Sequence, residues 1–289
     1  LALFVKYEFW FHYLDTLNRN HIPVVLFSAV FQTQQIFFKP YGSWYRKMLQ
    51  YYDIIFVQDI ASKNLLSSYK INNVAVAGDT RFDRVWALTQ QTRQYNKVST
   101  FVQGKKLLIA GSTWEGDEVL LKEALSQLNG DYKLLLVPHE TNANNIHRIL
   151  KLFDDKAVIW DVADDVLLQH TVAIVNTIGQ LAYLYRYADV VWIGGGFTRS
   201  GIHNSIEAAV YGKPLFWGPN YRKYLEAVQL INGGAAMAVE NGAALAQHLI
   251  QPNNLLNMGL KAQSIVAAHR GATTIIMRYL SEKYFPNKA

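Results

Sequence analysis

Short apolar runs rich in Val, Ile, Leu and Phe recur along the whole chain, and amphipathic stretches separate them. No other feature limits the fold so strongly. The runs are Leu3–Val5, Pro23–Phe27, Ile54–Val57, Val74–Val76, Leu107–Ala110, Lys133–Val137, Ala157–Trp160, Val172–Val175, Val190–Ile193, Pro214–Trp217 and Ala235–Val239. Most lack the polar–apolar alternation of a half-exposed strand. Continuous apolar strands are those covered on both faces, which points to parallel sheets. The first run, Leu3-Phe4-Val5, reads as a buried strand. Helical patterns fall between the runs at Phe11–Arg19, Ser43–Tyr52, Ala61–Tyr69, Asp117–Leu128, Ile178–Arg186 and Ile206–Tyr211. Strand–helix alternation of this kind is the pattern of a doubly wound α/β protein.

The polar stretch Trp86–Lys106 is the natural boundary, with about four strands before it and about seven after. The expected division is residues 1–95 as the remainder of a first Rossmann-like domain and 96–262 as a second, whole one. Residues 263–289 would form a C-terminal helix and basic tail. The tail, from Lys261 to Ala289, reads as a long helix followed by a basic end, with Lys283 and Lys288. A chain that opens at Leu1 inside a strand is expected to be a fragment.

With 289 residues, 51% hydrophobic and 17% charged, disorder is excluded. The absence of cysteine excludes disulfides, thiolate metal sites and cysteine nucleophiles. The sequence lacks HExxH, a His cluster and a paired acidic loop, so no metal and no cofactor are expected. No apolar run reaches the roughly 18 residues of a membrane span. The net charge of +6 favours an anionic partner without choosing one. The scattered Tyr and Trp residues argue against a nucleic-acid platform.

Ligands of open α/β sheets collect beyond the carboxyl ends of the strands. Ser112 and Thr113 follow one such strand, and two readings fit them: an anion seat or an ordinary helix cap. Pro138 and His139 follow the next. The richest segment is Gly194-Gly195-Gly196 through His203-Asn204-Ser205-Ile206-Glu207. Its glycines permit close backbone approach, and a carboxylate one turn into a helix suits a pair of ribose hydroxyls. The segment is neither a P-loop nor a GxGxxG fingerprint.

These residues carry a resemblance. Gly194-Gly195, then His203-Asn204-Ser205-Ile206-Glu207-Ala208-Ala209, Gly212-Lys213-Pro214 and Gly218-Pro219, is similar to the "GG…GGHNPLEAA…GKPV…GP" signature of the 3-deoxy-D-manno-octulosonic acid (Kdo) transferases. Ile178-Gly179-Gln180-Leu181 with Leu184-Tyr185 and Ala188-Asp189 resembles "MGEL..LY..AD". Ser112-Thr113-Trp114-Glu115-Gly116 resembles "STHEGE", Gly78-Asp79-Thr80-Arg81-Phe82-Asp83 resembles "GNLKFD", and Tyr7-Glu8-Phe9-Trp10 resembles "ETELWPN". The matches run in order along essentially the whole chain.

The resemblance implies a GT-B fold, two Rossmann-like doubly wound domains facing a cleft, the first of them incomplete. It implies inverting transfer of Kdo from CMP-Kdo to a lipid A precursor (lipid IVA) in lipopolysaccharide synthesis. The enzyme would be peripheral, on the cytoplasmic, anionic face of the bacterial inner membrane, with no nucleic-acid partner. CMP contacts would be Pro138, His139, Ile178, Gly179, Gln180, Asn204, Ser205, Ile206 and Glu207. Ser112, Thr113, Gly195 and His203 would add phosphate or sugar contacts, and Lys6 and Glu8 would lie on the acceptor side. Glu8 fits a structural cap or ion pair as well. The family's general-base glutamate and membrane anchor belong upstream of Leu1, so the chain as given is expected to bind donor nucleotide but transfer little sugar. Departures from the pattern mark a divergent branch. His139 stands where the family has Arg, Gln180 replaces an acid, Ser205 replaces Pro, and Phe27-Ser28-Ala29-Val30-Phe31 replaces an Asn-Ala-Arg stretch. Alternatives are a GT-B enzyme using a UDP-sugar and a non-catalytic nucleotide-binding remnant.

Overall fold

All strand pairing in the computed structural model, which describes residues 1–91 and 93–286, is parallel. The strands are β1 (Ala2–Val5), β2 (Val24–Ala29), β3 (Ile54–Val57), β4 (Val74–Val76), β5 (Lys106–Thr113), β6 (Tyr132–Pro138), β7 (Ala157–Ile159), β8 (Val172–Ile174), β9 (Val190–Ile193), β10 (Leu215–Trp217) and β11 (Ala236–Ala238). Each lies on one of the apolar runs. A first sheet has the order β1-β2-β3-β4, and a second has β11-β10-β9-β5-β6-β8-β7. The fold is the α/β class expected from the alternation.

The chain divides into two compact units, Leu1–Arg84 with the segment from His269 onward, and Val85–Ala268. The limits expected from the sequence are 95/96 and 262/263. Hydrogen bonds hold the stretch before residue 95 to the second unit: the Arg186 guanidinium donates to the Thr89 carbonyl at 2.8 Å and the Tyr183 hydroxyl to Gln91 Oε1 at 2.9 Å. The helix Asn96–Val102 follows. It buries Val98 and Phe101, and Phe101 meets the Trp160 ring edge-on at 6.0 Å.

In the second unit the central strands are enclosed on both faces. Leu107–Ala110, Leu134–Leu136 and Val190–Ile193 have no exposed surface. Their continuous apolar sequences reflect that double burial. The core includes Trp192, Phe216, Tyr132 and the helix residues Leu121, Ala124, Ile149 and Phe153. Full burial of one such large side chain stabilises by about 1.5–3 kcal/mol.

In the first unit β1 departs from expectation. Leu3 and Val5 are 51% and 43% exposed. β1 lies at the sheet edge, and only its alternate residues Ala2 and Phe4 pack on the core. The period-2 geometry of a strand leaves the other face uncovered.

The C-terminal region is a second correction. The long helix expected in the tail is two, Pro252–Ala268 and Ala272–Tyr284. Gly271 separates them at φ 107°, a conformation that glycine adopts without strain. The Asp83 carboxylate then accepts the N–H groups of Gly271 and Thr273, each at 2.7 Å. It therefore acts as a cap supplied from across the unit. Ile276 and Leu280 join Val25, Phe56 and Ala77 in a small core on the first sheet. Lys283 lies in the last turn of this helix, and Lys288 lies outside the described residues.

Candidate functional site

Strand order in the second unit reverses at β5. From there β6, β8 and β7 run one way, and β9, β10 and β11 the other. The crevice at such a switch point, between the carboxyl ends of β5 and β9, is where doubly wound sheets hold ligands. The two glycine-bearing segments singled out in the sequence emerge there.

The backbones at this point touch. The Gly194 N–H donates to the Gly111 carbonyl at 2.8 Å. A Cβ on Gly194 would come within 2.2 Å of the Ser112 carbonyl oxygen, and one on Gly196 within 2.4 Å of the Gly218 nitrogen. Ser112 itself adopts φ 54°, a left-handed conformation that is costly for a non-glycine residue and is held in place here by the packed loops.

One buried carboxylate ties the crevice together. Asp117 has no exposed surface and accepts three hydrogen bonds: from Gly195 N–H at 2.8 Å, Trp114 N–H at 2.9 Å and the Trp192 indole at 3.1 Å. It thus joins the glycine loop after β9 to the helix start after β5. Burial pushes its pKa up, the three hydrogen bonds oppose that, and the neighbouring Glu118 charge adds to it. Glu118 is also fully buried. It accepts from the Thr113 hydroxyl at 3.0 Å and pairs with Arg148 on the helix Ala143–Phe153. The Thr113 hydroxyl, a candidate phosphate contact, is committed to this bond.

Three rings close one side of the crevice. His139 stacks on Trp114 at 4.7 Å and on His203 at 4.5 Å. The Trp114 indole donates to His203 Nε2 at 3.1 Å. His139 reaches the cluster because β6 ends at Pro138 and the His139 N–H donates to the Thr113 carbonyl at 3.0 Å. Burial, and His139 beside it, hold the His203 pKa below the usual imidazole value of 6.5. Its neutral form is the one that accepts from Trp114. The stabilising contribution of the pair is complete above pH 6.5 and is lost as pH falls through the depressed pKa. Histidine NMR titration should place the His203 midpoint below 6.5, accompanied by a change in Trp114 fluorescence. A midpoint at or above 6.5 would contradict this arrangement.

The glycine loop continues into a single helical turn, Ile206–Ala209. So short a helix adds little dipolar attraction. The Asn204 amide donates to Glu207 Oε1 at 2.9 Å, and Asn204 Oδ1 accepts from Ile206 N–H at 3.3 Å. Asn204 therefore orients the carboxylate that the sequence picked out for sugar hydroxyls. The Ile206 side chain belongs to the core, and the Ser205 hydroxyl is buried without a hydrogen-bond partner. Pro138 is buried at the end of β6.

Ile178, Gly179 and Gln180 follow β8 in an open loop. Ile178 is 89% exposed, Gly179 has φ 85°, and the Gln180 amide donates to the Thr177 hydroxyl at 2.5 Å. The helix that follows, Leu181–Leu184, packs against the end of β5, where a Cβ on Gly111 would lie 2.9 Å from the Leu181 methyl groups. Lys6 and Glu8 belong to the first unit. Lys6, at φ 60°, lies 3.7 Å from Asp79, and the Glu8 carboxylate accepts from the Trp10 indole. Burial and the Glu8 charge raise the pKa of the Tyr52 hydroxyl, which donates to the Glu8 carbonyl at 2.7 Å.

Sequence reasoning passed over Asp117 and Trp114, and the Glu118–Arg148 pair. An acidic residue three positions after a helix start was the one visible signal for Asp117. Among the described residues no cluster of His, Cys, Asp and Glu has metal-binding geometry.

Comparisons with known proteins bear on this arrangement. Residues 1–84 match the family model described as 3-Deoxy-D-manno-octulosonic-acid transferase (kdotransferase). A 3-deoxy-D-manno-octulosonic acid transferase of Bordetella pertussis is 25% identical over 94% of this chain and 66% of its own length. One from Rickettsia typhi is 22% identical over 89% of this chain and 57% of its own. The chain thus spans less than two thirds of the length of these curated relatives. Among solved structures, the C-terminal CMP-Kdo binding domain of WaaA from Acinetobacter baumannii aligns with a TM-score of 0.51 at 16% identity, covering 64% of this chain and 97% of that domain. The S. aureus MnaA–UDP structure aligns with a TM-score of 0.63 at 13% identity over 97% of this chain and 75% of its own. At such identities these structures speak for the fold, that of GT-B glycosyltransferases and epimerases. Residues 1–84 thus match the 3-deoxy-D-manno-octulosonic acid transferase family, and along nearly its whole length the chain is similar to such transferases.

Proposed function

We propose that this chain carries the donor-nucleotide site of a glycosyltransferase that moves Kdo from CMP-Kdo to a lipid A precursor in lipopolysaccharide synthesis. One observation supports this most. The segment carrying the family signature, Gly194 to Glu207, folds at the β5–β9 switch point with Asn204 aiming the Glu207 carboxylate. In this proposal Glu207 accepts the two ribose hydroxyls of CMP. Pro138 and His139 border the nucleotide from the β6 side, and Ile178, Gly179 and Gln180 approach it from their open loop. The backbone around Gly195, with Ser112 and His203, faces the phosphate. The Thr113 hydroxyl holds Glu118 and so shapes the loop rather than touching ligand.

Transfer would be inverting: the acceptor hydroxyl attacks the Kdo anomeric carbon from the face opposite CMP, and the bond to the CMP phosphate breaks. Fixed donors at the crevice stabilise the charge that develops on the leaving phosphate. In the family's scheme a glutamate takes the acceptor proton, and no residue of this chain is assigned that part. Lys6 and Glu8 are proposed for the acceptor side. The charge of +6 suits work at an anionic membrane face, here the cytoplasmic face of the inner membrane. No helix among the described residues is long and apolar enough to cross a membrane.

Replacing Glu207 tests the reading. Charge-assisted hydrogen bonds contribute about 1.5–3 kcal/mol each, so Glu207→Ala should weaken CMP binding by about a hundredfold. Glu207→Gln, which keeps an acceptor, should lose less. Unchanged CMP affinity in Glu207→Ala, measured by calorimetry, would remove the site from this loop.

A further inference from the structure

Beside the donor crevice, on the strand-exit side of β9 and β10, lies a groove of about 610 Å³ lined by Arg199, Gly201, Pro219, Asn220, Arg222 and Lys223. Among the described residues three cations and no carboxylate line it. Among the described residues neither arginine is ion-paired. Like charges held together repel one another, and a bound anion relieves that repulsion.

The groove is a built feature rather than a chance meeting of surface side chains. Its walls are two loops, one after β9 and one after β10, laced together by hydrogen bonds. Asn220 N–H donates to the Gly196 carbonyl at 2.9 Å, and Ile202 N–H to the Asn220 carbonyl at 3.2 Å. The Asn220 amide donates to the Thr198 carbonyl at 3.2 Å, and the Tyr224 hydroxyl to the Ser200 carbonyl at 2.7 Å. Lys223 Nζ donates to the Arg199 carbonyl at 3.3 Å, which leaves the rest of its three donors free to turn to a ligand. Gly201 permits the close approach. At φ 78°, a Cβ there would lie 2.6 Å from the Asn220 carbonyl oxygen. The cations are thus anchored on a frame that does not need a ligand to form.

We propose that this groove binds the phosphomonoester of a phosphorylated sugar, with Arg199 and Arg222 gripping the phosphate and Lys223 adding a third charge. Guanidinium groups match phosphate oxygens bidentately. The volume lies within the about 300–1,000 Å³ of small-molecule sites and exceeds what a bare phosphate fills. The inference rests on the transferase reading only for its role, which is to hold the phosphate of the acceptor while the donor nucleotide occupies the neighbouring crevice. Phosphate recognition itself follows from the groove.

The test is calorimetric titration of N-acetylglucosamine 1-phosphate, inorganic phosphate and unphosphorylated N-acetylglucosamine into the chain with CMP present in excess. The same titrations are made on Arg199→Gln/Arg222→Gln. Both substituted side chains are exposed, so the variant should fold, and thermal unfolding checks it. The sugar phosphate should bind, the unphosphorylated sugar should not, and the variant should lose at least about tenfold in affinity. Inorganic phosphate binding as tightly as the sugar phosphate would place the recognition in the phosphate alone and still support the groove. Phosphatidylcholine vesicles with and without phosphatidic acid separate a lipid-borne phosphomonoester from a soluble one, either of which supports the groove if the variant loses it. The proposal is overturned if no phosphate compound binds, or if the variant binds as well as the wild type. It is also overturned if CMP competes fully with the sugar phosphate, since the groove would then be the nucleotide's own seat, or if oligonucleotides with a steep salt dependence displace the sugar phosphate. Failure of CMP to bind the wild type would refute the donor reading and leave the phosphate result to stand on its own.

Discussion

Asp117→Ala is expected to destabilise the second unit by about 3–5 kcal/mol and to abolish nucleotide binding with it. Two buried donors, Gly195 N–H and the Trp192 indole, and the half-buried Trp114 N–H lose their acceptor, and each unsatisfied buried group costs about 1–3 kcal/mol. Asp117→Asn keeps one acceptor oxygen but turns an amide N–H₂ toward the remaining donors. It should lose about 2 kcal/mol. The pH dependence separates the two effects of the carboxylate. Because burial raises its folded pKa above the ordinary 3.8, the fold favours its protonated form, and that contribution to stability is complete below the ordinary value. That contribution is lost as pH rises through the raised one. The difference in stability between wild type and Asp117→Asn should therefore move against the wild type over that interval. Chemical unfolding across pH measures it. A loss under about 1 kcal/mol for Asp117→Ala would mean that the carboxylate does not join the two loops.

Gly194→Ala is the second large effect. The new methyl would meet the Ser112 carbonyl oxygen at 2.2 Å and the Thr113 Cα at 2.6 Å. Both are backbone atoms, so relief requires β5 and β9 to part at the switch point. Overpacking of this kind costs about 3 kcal/mol. The Gly194 N–H to Gly111 carbonyl bond and the His203 N–H to Gly194 carbonyl bond, at 2.8 and 3.1 Å, would be strained together. CMP affinity should fall with stability, because the loop carrying Asn204 and Glu207 hangs from these bonds. Thermal unfolding and CMP binding both at wild-type values would show that the loops do not need this contact.

Much of this was legible in the sequence because the residues involved are neighbours. Continuous apolar runs such as Leu107–Ala110 and Val190–Ile193 announce doubly covered strands, and both lie at the centre of the larger sheet. The glycine loop and Asn204–Glu207 lie within one short segment, so their juxtaposition needs no tertiary knowledge. What escaped depends on distant partners. Leu3 and Val5 are apolar, but edge position leaves them exposed. The break at Gly271 looks like an ordinary glycine in an amphipathic pattern, since its cap, Asp83, comes from far up the chain. Asp117 resembles a solvated acidic residue in a helix's first turn until the Trp192 indole and Gly195 close over it. Thr113 looks free until Glu118 and Arg148 are seen to claim it. The stack of Trp114, His139 and His203 draws one ring from each of three strand exits. The basic groove likewise exists only because hydrogen bonds bring Arg199 beside Lys223.

The central claim is that a cytidine nucleotide sits where β5 and β9 part. Calorimetric titration of CMP and of UMP into this chain tests it most directly. The account predicts one CMP bound per chain, with UMP at least about tenfold weaker, and a chain whose circular dichroism reports a folded α/β protein. UMP binding more tightly than CMP, or neither nucleotide binding to the folded chain, would contradict it.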